Sequence, residues 1–235
     1  VAKLRLEITK GEAIRYISHL DYAGTIERAL RRAKLPVSYS EGFNPHMKLA
    51  FASALAVGVT SLAEYMDVEL TGELDLQEIK NRLEPMLPAG ISFNEAKYIE
   101  KHSPALMAIV NLAAYRVVAP LSNGEDREKV TNCIRQFNSA SCVPYTKESP
   151  KGRREIDIKE FMGEDVRISG DNLLTDSVSL DVALRITPQG SVKPSELVDA
   201  LIISFGLPVK KDAVLIERTG LFVTDGMLRF SPLKM

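Results

Sequence analysis

Lys3-Leu4-Arg5-Leu6-Glu7-Ile8-Thr9 sets Leu4, Leu6 and Ile8 in alternation with polar residues, the period of a strand with one buried face. Gly11-Glu12 breaks it. Ser18-His19-Leu20-Asp21 then reads as a helix start, with Ser18 as the cap and Asp21, three residues on, as its reciprocal acceptor. The helix is predicted to run to about Lys34, before Pro36. Its buried stripe is Leu20, Ala23, Ile26, Leu30 and Ala33, with Asp21, Arg28 and Arg32 opposite. Short strands are expected at 37–40 and 48–52. Another at 63–71 turns Met66, Val68 and Leu70 inward and Asp67 and Glu69 outward. Asp75 caps a second helix carrying Leu76, Ile79, Leu83 and Leu87, and residues 91–99 form a strand. Strand, helix, strand, strand, helix, strand is the ferredoxin-like split βαβ order.

The rest of the chain repeats that order. Residues 101–112 read as a linker in which Ser103-Pro104 opens a short helix reaching Val110. Residues 115–119 form a strand. Ser122 and Glu125 make a capping box, and Val130, Ile134 and Phe137 line a helix. Residues 142–146 form a strand, and 154–161 with 165–169 form an added hairpin. Val178, Leu180, Val182, Leu184 and Ile186 alternate with Ser179, Asp181, Ala183 and Arg185. Pro194 to Phe205 is a helix ended by Gly206-Leu207-Pro208. Residues 213–219 close the sheet, and Asp225-Gly226 turns a final hairpin. The expected fold is therefore α+β: two ferredoxin-like halves, each an antiparallel sheet with its helices on one face. The domains are 1–100 and 113–235.

Composition excludes more than it selects. With 45% hydrophobic and 26% charged residues in 235, the chain has the balance of a globular protein. Net charge is −1, but residues 1–50 hold nine Lys/Arg against five Asp/Glu, which leaves −5 for the remainder. The opening segment is the basic one. Cys133 and Cys142 form no Cys-x-x-Cys pair, and two cysteines with three histidines supply no zinc or iron–sulfur site. Free thiols, no apolar run of membrane-spanning length and no signal-peptide pattern point to the cytoplasm. There is no Walker loop, no Gly-x-Gly-x-x-Gly, no Gly-x-Ser-x-Gly and no His-Glu-x-x-His.

Tyr39-Ser40-Glu41-Gly42-Phe43-Asn44-Pro45-His46-Met47-Lys48 is longer and chemically richer than a hairpin turn requires. Gly42 suits a backbone conformation other residues resist, and Asn44-Pro45 initiates a turn. Tyr39 and Phe43 are candidates for stacking on bases, and His46 and Lys48 for meeting phosphate; Ser40, Gly42 and Asn44 complete the candidate binding residues of the loop. His19, at a helix start whose dipole favours neutral imidazole, is either a base or hydrogen-bond donor, or a packing residue beneath the helix; Asp21 accompanies it. His19 and His46 are the candidates for acid–base chemistry. Lys151-Gly152-Arg153-Arg154 is either an anion clamp through Arg153 and Arg154 or a solvated turn.

The run Arg15-Tyr16-Ile17-Ser18-His19-Leu20-Asp21, with Glu27-Arg28-Ala29-Leu30-Arg31-Arg32-Ala33, Leu35-Pro36, Tyr39 to His46, Phe51-Ala52, Val57-Gly58-Val59 and Ala63-Glu64-Tyr65-Met66-Asp67, closely resembles one family. A looser match continues through Gly152-Arg153-Arg154-Glu155-Ile156-Asp157. It is the bacterial radical-SAM-linked domain of unknown function, found beside or fused to a radical-SAM protein. Met47 departs from it, standing where the family repeats a proline. The resemblance implies an accessory role to a radical-SAM partner, which would carry the iron–sulfur cluster and S-adenosylmethionine. No cofactor is expected in this chain, which lacks the triple-cysteine motif. The expectation is a module binding ribosomal or transfer RNA for that partner. The rivals are a metal-independent RNA-processing or RNA-modifying enzyme using His19 and His46, whose tandem plan is similar to that of CRISPR repeat-processing endoribonucleases, and an adaptor that binds protein alone.

Overall fold

A computed structural model describes residues 1–123, 127–149, 152–172 and 176–235. Glu125 of the expected capping box and Lys151 of the basic turn lie outside them. The protein is α+β and divides into two compact units, Val1–Val110 with Gly220–Met235, and Asn111–Thr219. The last segment, expected in the second domain, therefore belongs with the first unit.

In the first unit the alternating stretch is β1 (Ala2–Lys10), followed by α1 (His19–Arg32), β2 (Leu49–Phe51), β3 (Val59–Leu70), α2 (Leu76–Leu83), β4 (Phe93–Ile99) and the short α3 (Leu106–Ile109). β1 lies between β3 and β4, and β2 pairs with β3, all antiparallel. Leu4, Leu6 and Ile8 of β1 share one core with Met66, Val68 and Leu70 of β3, Tyr22, Ile26, Ala29 and Leu30 of α1, and Ile79 and Leu83 of α2. Both helices thus cover the same sheet face. Burying a side chain of this size stabilises by about 1.5–3 kcal/mol, so this shared face dominates the unit's stability.

The details correct several expectations. Leu20 is 81% exposed, and Tyr22 and Ala29 complete the buried stripe; helical spacing from Ile26 backwards selects position 22, not 20. The 37–40 strand reduces to isolated bridges, Val37 to Leu70 and Tyr39 to Met47. The linker helix is capped by Ala105 rather than Ser103. Asp67, expected in solvent, is 5% exposed. It accepts from Arg5 Nε at 2.7 Å and Nη2 at 3.0 Å on the face away from the helices. The C-terminal segment sits on that face: Arg5 Nη1 donates to Pro232 O at 2.9 Å and Lys97 Nζ to Leu233 O at 3.0 Å, while Tyr65 and Ser231 hydroxyls are 3.2 Å apart.

The second unit contains β5 (Leu112–Pro120), α4 (Arg127–Ser139), β6 (Pro144–Ser149), β7 (Gly152–Asp157), β8 (Arg167–Asn172), β9 (Ser177–Thr187), β10 (Gly190–Ser191), α5 (Pro194–Phe205) and the first part of β11 (Leu215–Thr224). β9 pairs with β5, β8 and β10. The added hairpin is β6 with β7, Tyr145 opposite Ile156; the expected partner, β8, instead joins the main sheet. α5 keeps its predicted bounds, with Gly206 left-handed at φ 69° as its terminator. The helix faces meet through Phe137 and Phe205, edge to face at 5.6 Å. Beyond β11, β12 (Arg229–Phe230) closes the predicted hairpin around Asp225-Gly226, with Val223 opposite Phe230.

Candidate functional site

The helix start is built as its sequence predicts. Ser18 Oγ accepts from the Asp21 N–H at 3.1 Å and donates to Asp21 Oδ2 at 2.7 Å. What holds the preceding turn is less obvious. β1 and β3 slip register between Ile8 and Lys10, and the buried Lys10 ammonium donates to the carbonyls of Arg15 (3.0 Å), Ile17 (3.2 Å) and Val59 (3.3 Å). A charge taken from water costs several kcal/mol unless it is so compensated. These bonds tie the turn before Ser18 to the start of β3. Arg15 adds a second tie: it pairs with Glu12, whose carboxyl this contact holds below its usual pKa, and donates to Gly58 O at 2.7 Å. Tyr16 and Leu20 stand out from this clamped turn, 75% and 81% exposed.

His19 is half-buried. Its ring meets Phe51 edge-on at 5.1 Å, and Tyr22 lies against the same phenyl ring at 5.9 Å. Tyr22 donates to Thr9 O at 2.8 Å, and burial, with the Glu64 charge, pushes its hydroxyl pKa well up. His19 thus packs on Phe51 through a T-shaped ring contact.

The 39–48 loop has a short, bonded stem and an open tip. Ser38 N–H donates to Glu69 O and Lys48 N–H to Ser38 O. Above them Ser40 closes the loop twice, its N–H donating to His46 O at 2.8 Å and its Oγ accepting from the His46 N–H at 3.0 Å. Residues 41–46 are all exposed. Gly42 takes φ 115°, a conformation costly for a side chain. Phe43 is fully exposed, at 112% of its reference area. Met47 and Phe51 turn inward while Lys48 and Ala50 turn outward. Exposed His46, preceding Met47, falls on the outward set, whereas His19 packs on inward Phe51. Acid–base work on one phosphate needs converging groups; His46 is exposed at the loop tip, and His19 is half-buried against Phe51. Lys48 lies 3.4 Å from Glu69. Arg153 and Arg154 belong to the second unit, on β7. Arg153 Nε donates to Glu148 at 3.0 Å and Arg154 Nη1 to Gln189 O at 3.4 Å.

Among the described residues no group of three or more His, Cys, Asp or Glu is placed to hold a metal. Cys133 is buried, its thiol pKa pushed up to about 11 by burial, and Cys142 is exposed. These cysteines do not fit an iron–sulfur cluster. No described helix is long and apolar enough to cross a membrane. Sequence reasoning did not single out Lys10, and it met Tyr16 and Phe51 only within the family resemblance, not as site residues. The signal for Lys10 was present as a lysine at the end of an alternating strand, one position before a glycine.

The fold and site thus define an α+β protein that displays an aromatic-tipped loop on a hydrogen-bonded stem, with a capped helix start whose His19 packs at its foot. The chain belongs to a family of uncharacterized proteins conserved in bacteria (DUF2344), whose profile matches residues 3–194. A search of curated proteins finds no match. Among solved structures, the chain is similar to one in a Cbf5–Nop10–Gar1 complex, at 11% identity and TM-score 0.51, covering 94% of this chain and 48% of that one. It is also similar, at 9% identity and TM-score 0.47, to a chain of an H/ACA ribonucleoprotein bound to a substrate RNA containing 2'-deoxyuridine, covering 93% of this chain and 46% of that one. The chain spans about half the length of these structures.

Proposed function

We propose that this protein is an accessory module that binds single-stranded RNA through the 39–48 loop and presents it to a radical-SAM partner. The observation that carries the reading is Phe43: a wholly exposed phenyl ring on a tip whose stem is fixed by the paired Ser40–His46 bonds. Folding gains nothing from leaving such a ring in water, whereas a splayed base gains a stacking surface. Tyr39, Asn44, His46 and Lys48 flank it with polar and basic groups, within an opening segment that holds nine Lys/Arg against five Asp/Glu over residues 1–50. His19 and Asp21 take the role of supporting Phe51, at the foot of the loop, and the helix start. The order of elements in each unit, with β2, β3, β1 and β4 adjacent in the first, supports reading both as ferredoxin-like. The polar sheet face of the first unit carries the C-terminal segment, so base stacking is assigned to the loop rather than to the sheet.

The partner assignment rests on the sequence resemblance to radical-SAM-linked domains. The experiment is RNA binding measured across salt concentrations, followed by co-purification with the neighbouring radical-SAM protein. Binding that weakens with salt is expected. No RNA binding at low salt, with partner capture intact, would leave a protein-only adaptor.

A further inference from the structure

The first unit also holds a cavity of about 250 Å3 on the sheet face turned away from α1 and α2. Lys3, Asp67, Glu69 and Lys48 line its floor, and Leu106 and Met107 of α3 its roof. Lys3 stands directly opposite Glu69 across β1 and β3, and Glu69 N–H donates to Lys48 O. Charges therefore run plus, minus, plus across neighbouring strands. Ala50, opposite Asp67, leaves the room: its methyl covers little of a face that its neighbours line with long side chains.

These charges are not equally committed. Asp67 is held by Arg5 Nε and Nη2. Lys3 lies 3.3 Å from Asp67 and donates to Ser103 O at 3.3 Å, which engages two of the three N–H groups an ammonium carries. Lys48 and Glu69 are 3.4 Å apart, with side chains 45% and 39% exposed. A pair so exposed is worth about 0–1 kcal/mol and exchanges readily. An anion alone would draw Lys48 away and leave Glu69 unmatched beside Asp67. A cation alone would leave Lys48 unmatched. A zwitterion replaces one weak pair with two and strands no charge. Its apolar part would lie on Leu106 and Met107. The volume falls just below the roughly 300–1,000 Å3 of drug-sized sites, which suits a ligand of amino-acid size.

We propose that this cavity binds a free α-amino acid with an aliphatic side chain, its carboxylate on Lys48 and Lys3 and its ammonium on Glu69. The test is an amide NMR titration of the whole chain with L-leucine, 4-methylpentanoate and 3-methylbutylamine. The expected result is saturable shifts at residues 48–50 and 105–107 with leucine, and at least about tenfold weaker binding of the two half-ligands. Ala50→Phe, at an exposed strand position, should abolish the leucine shifts. Lys48→Met and Glu69→Gln, both on exposed side chains, should bring leucine down to the level of the half-ligands with an unchanged melting temperature. Absence of saturable leucine shifts, a half-ligand binding as tightly as leucine, or undiminished binding in Ala50→Phe or Lys48→Met would each overturn the proposal.

Discussion

Replacing Phe43 with alanine should separate binding from folding. The ring is fully exposed, so its loss should change stability by no more than about 0.5 kcal/mol, a shift of roughly 2 °C or less in a chain of this size. Stacking of a base on an aromatic ring is worth about 1–3 kcal/mol by alanine substitution, which corresponds to roughly 5- to 150-fold in Kd. The matched control is Phe51→Ala. Phe51 is 8% exposed and carries both His19 and Tyr22 on its ring, so its truncation should cost about 3–5 kcal/mol and lower the melting temperature by roughly 6–20 °C. The assay is fluorescence anisotropy with a labelled short single-stranded RNA at low salt, beside thermal melts of each variant. If Phe43→Ala binds within about twofold of the wild type, the stacking argument fails. If it melts as early as Phe51→Ala, the loop tip is a packing element and the reading of its exposure is wrong.

Removing Asp67 as Asp67→Ala leaves buried Arg5 uncompensated and should cost about 3–5 kcal/mol by urea denaturation, whereas the double change Arg5→Met with Asp67→Leu should recover much of that loss; equal loss in both would refute the ion-pair account. Native protein should react at one thiol, Cys142, with a disulfide reagent at neutral pH and at two after unfolding, because Cys133 is buried with a thiol pKa of about 11. Burial opposes ionisation of Asp157, yet the Val143 and Lys159 N–H groups donate to its carboxylate and hold its pKa below the reference 3.8. Its stabilising contribution is therefore full above that reference and lost as pH falls through the lowered folded value. The gap in melting temperature between wild type and Asp157→Asn should be constant near neutrality and close only in that acid range.

Local periodicity made much of the framework legible. Leu4, Leu6 and Ile8, the alternation through β9, the Ser18 and Asp75 caps, and α5 between Pro194 and Gly206 all depend on neighbours within a few residues, and such patterns survive without knowledge of the rest of the chain. The loop, too, stood out for its composition. Its stem did not, because the Ser38–Glu69 contact joins segments far apart in sequence. The same holds for the burial of Asp67 on the outer sheet face and the return of Gly220–Met235 to the first unit. Each depends on which distant strand supplies a partner: Arg5 for Asp67, or the polar sheet face for Pro232 and Leu233. A residue's own pattern states whether it can be buried; only the chain that arrives opposite it decides whether its charge is matched there.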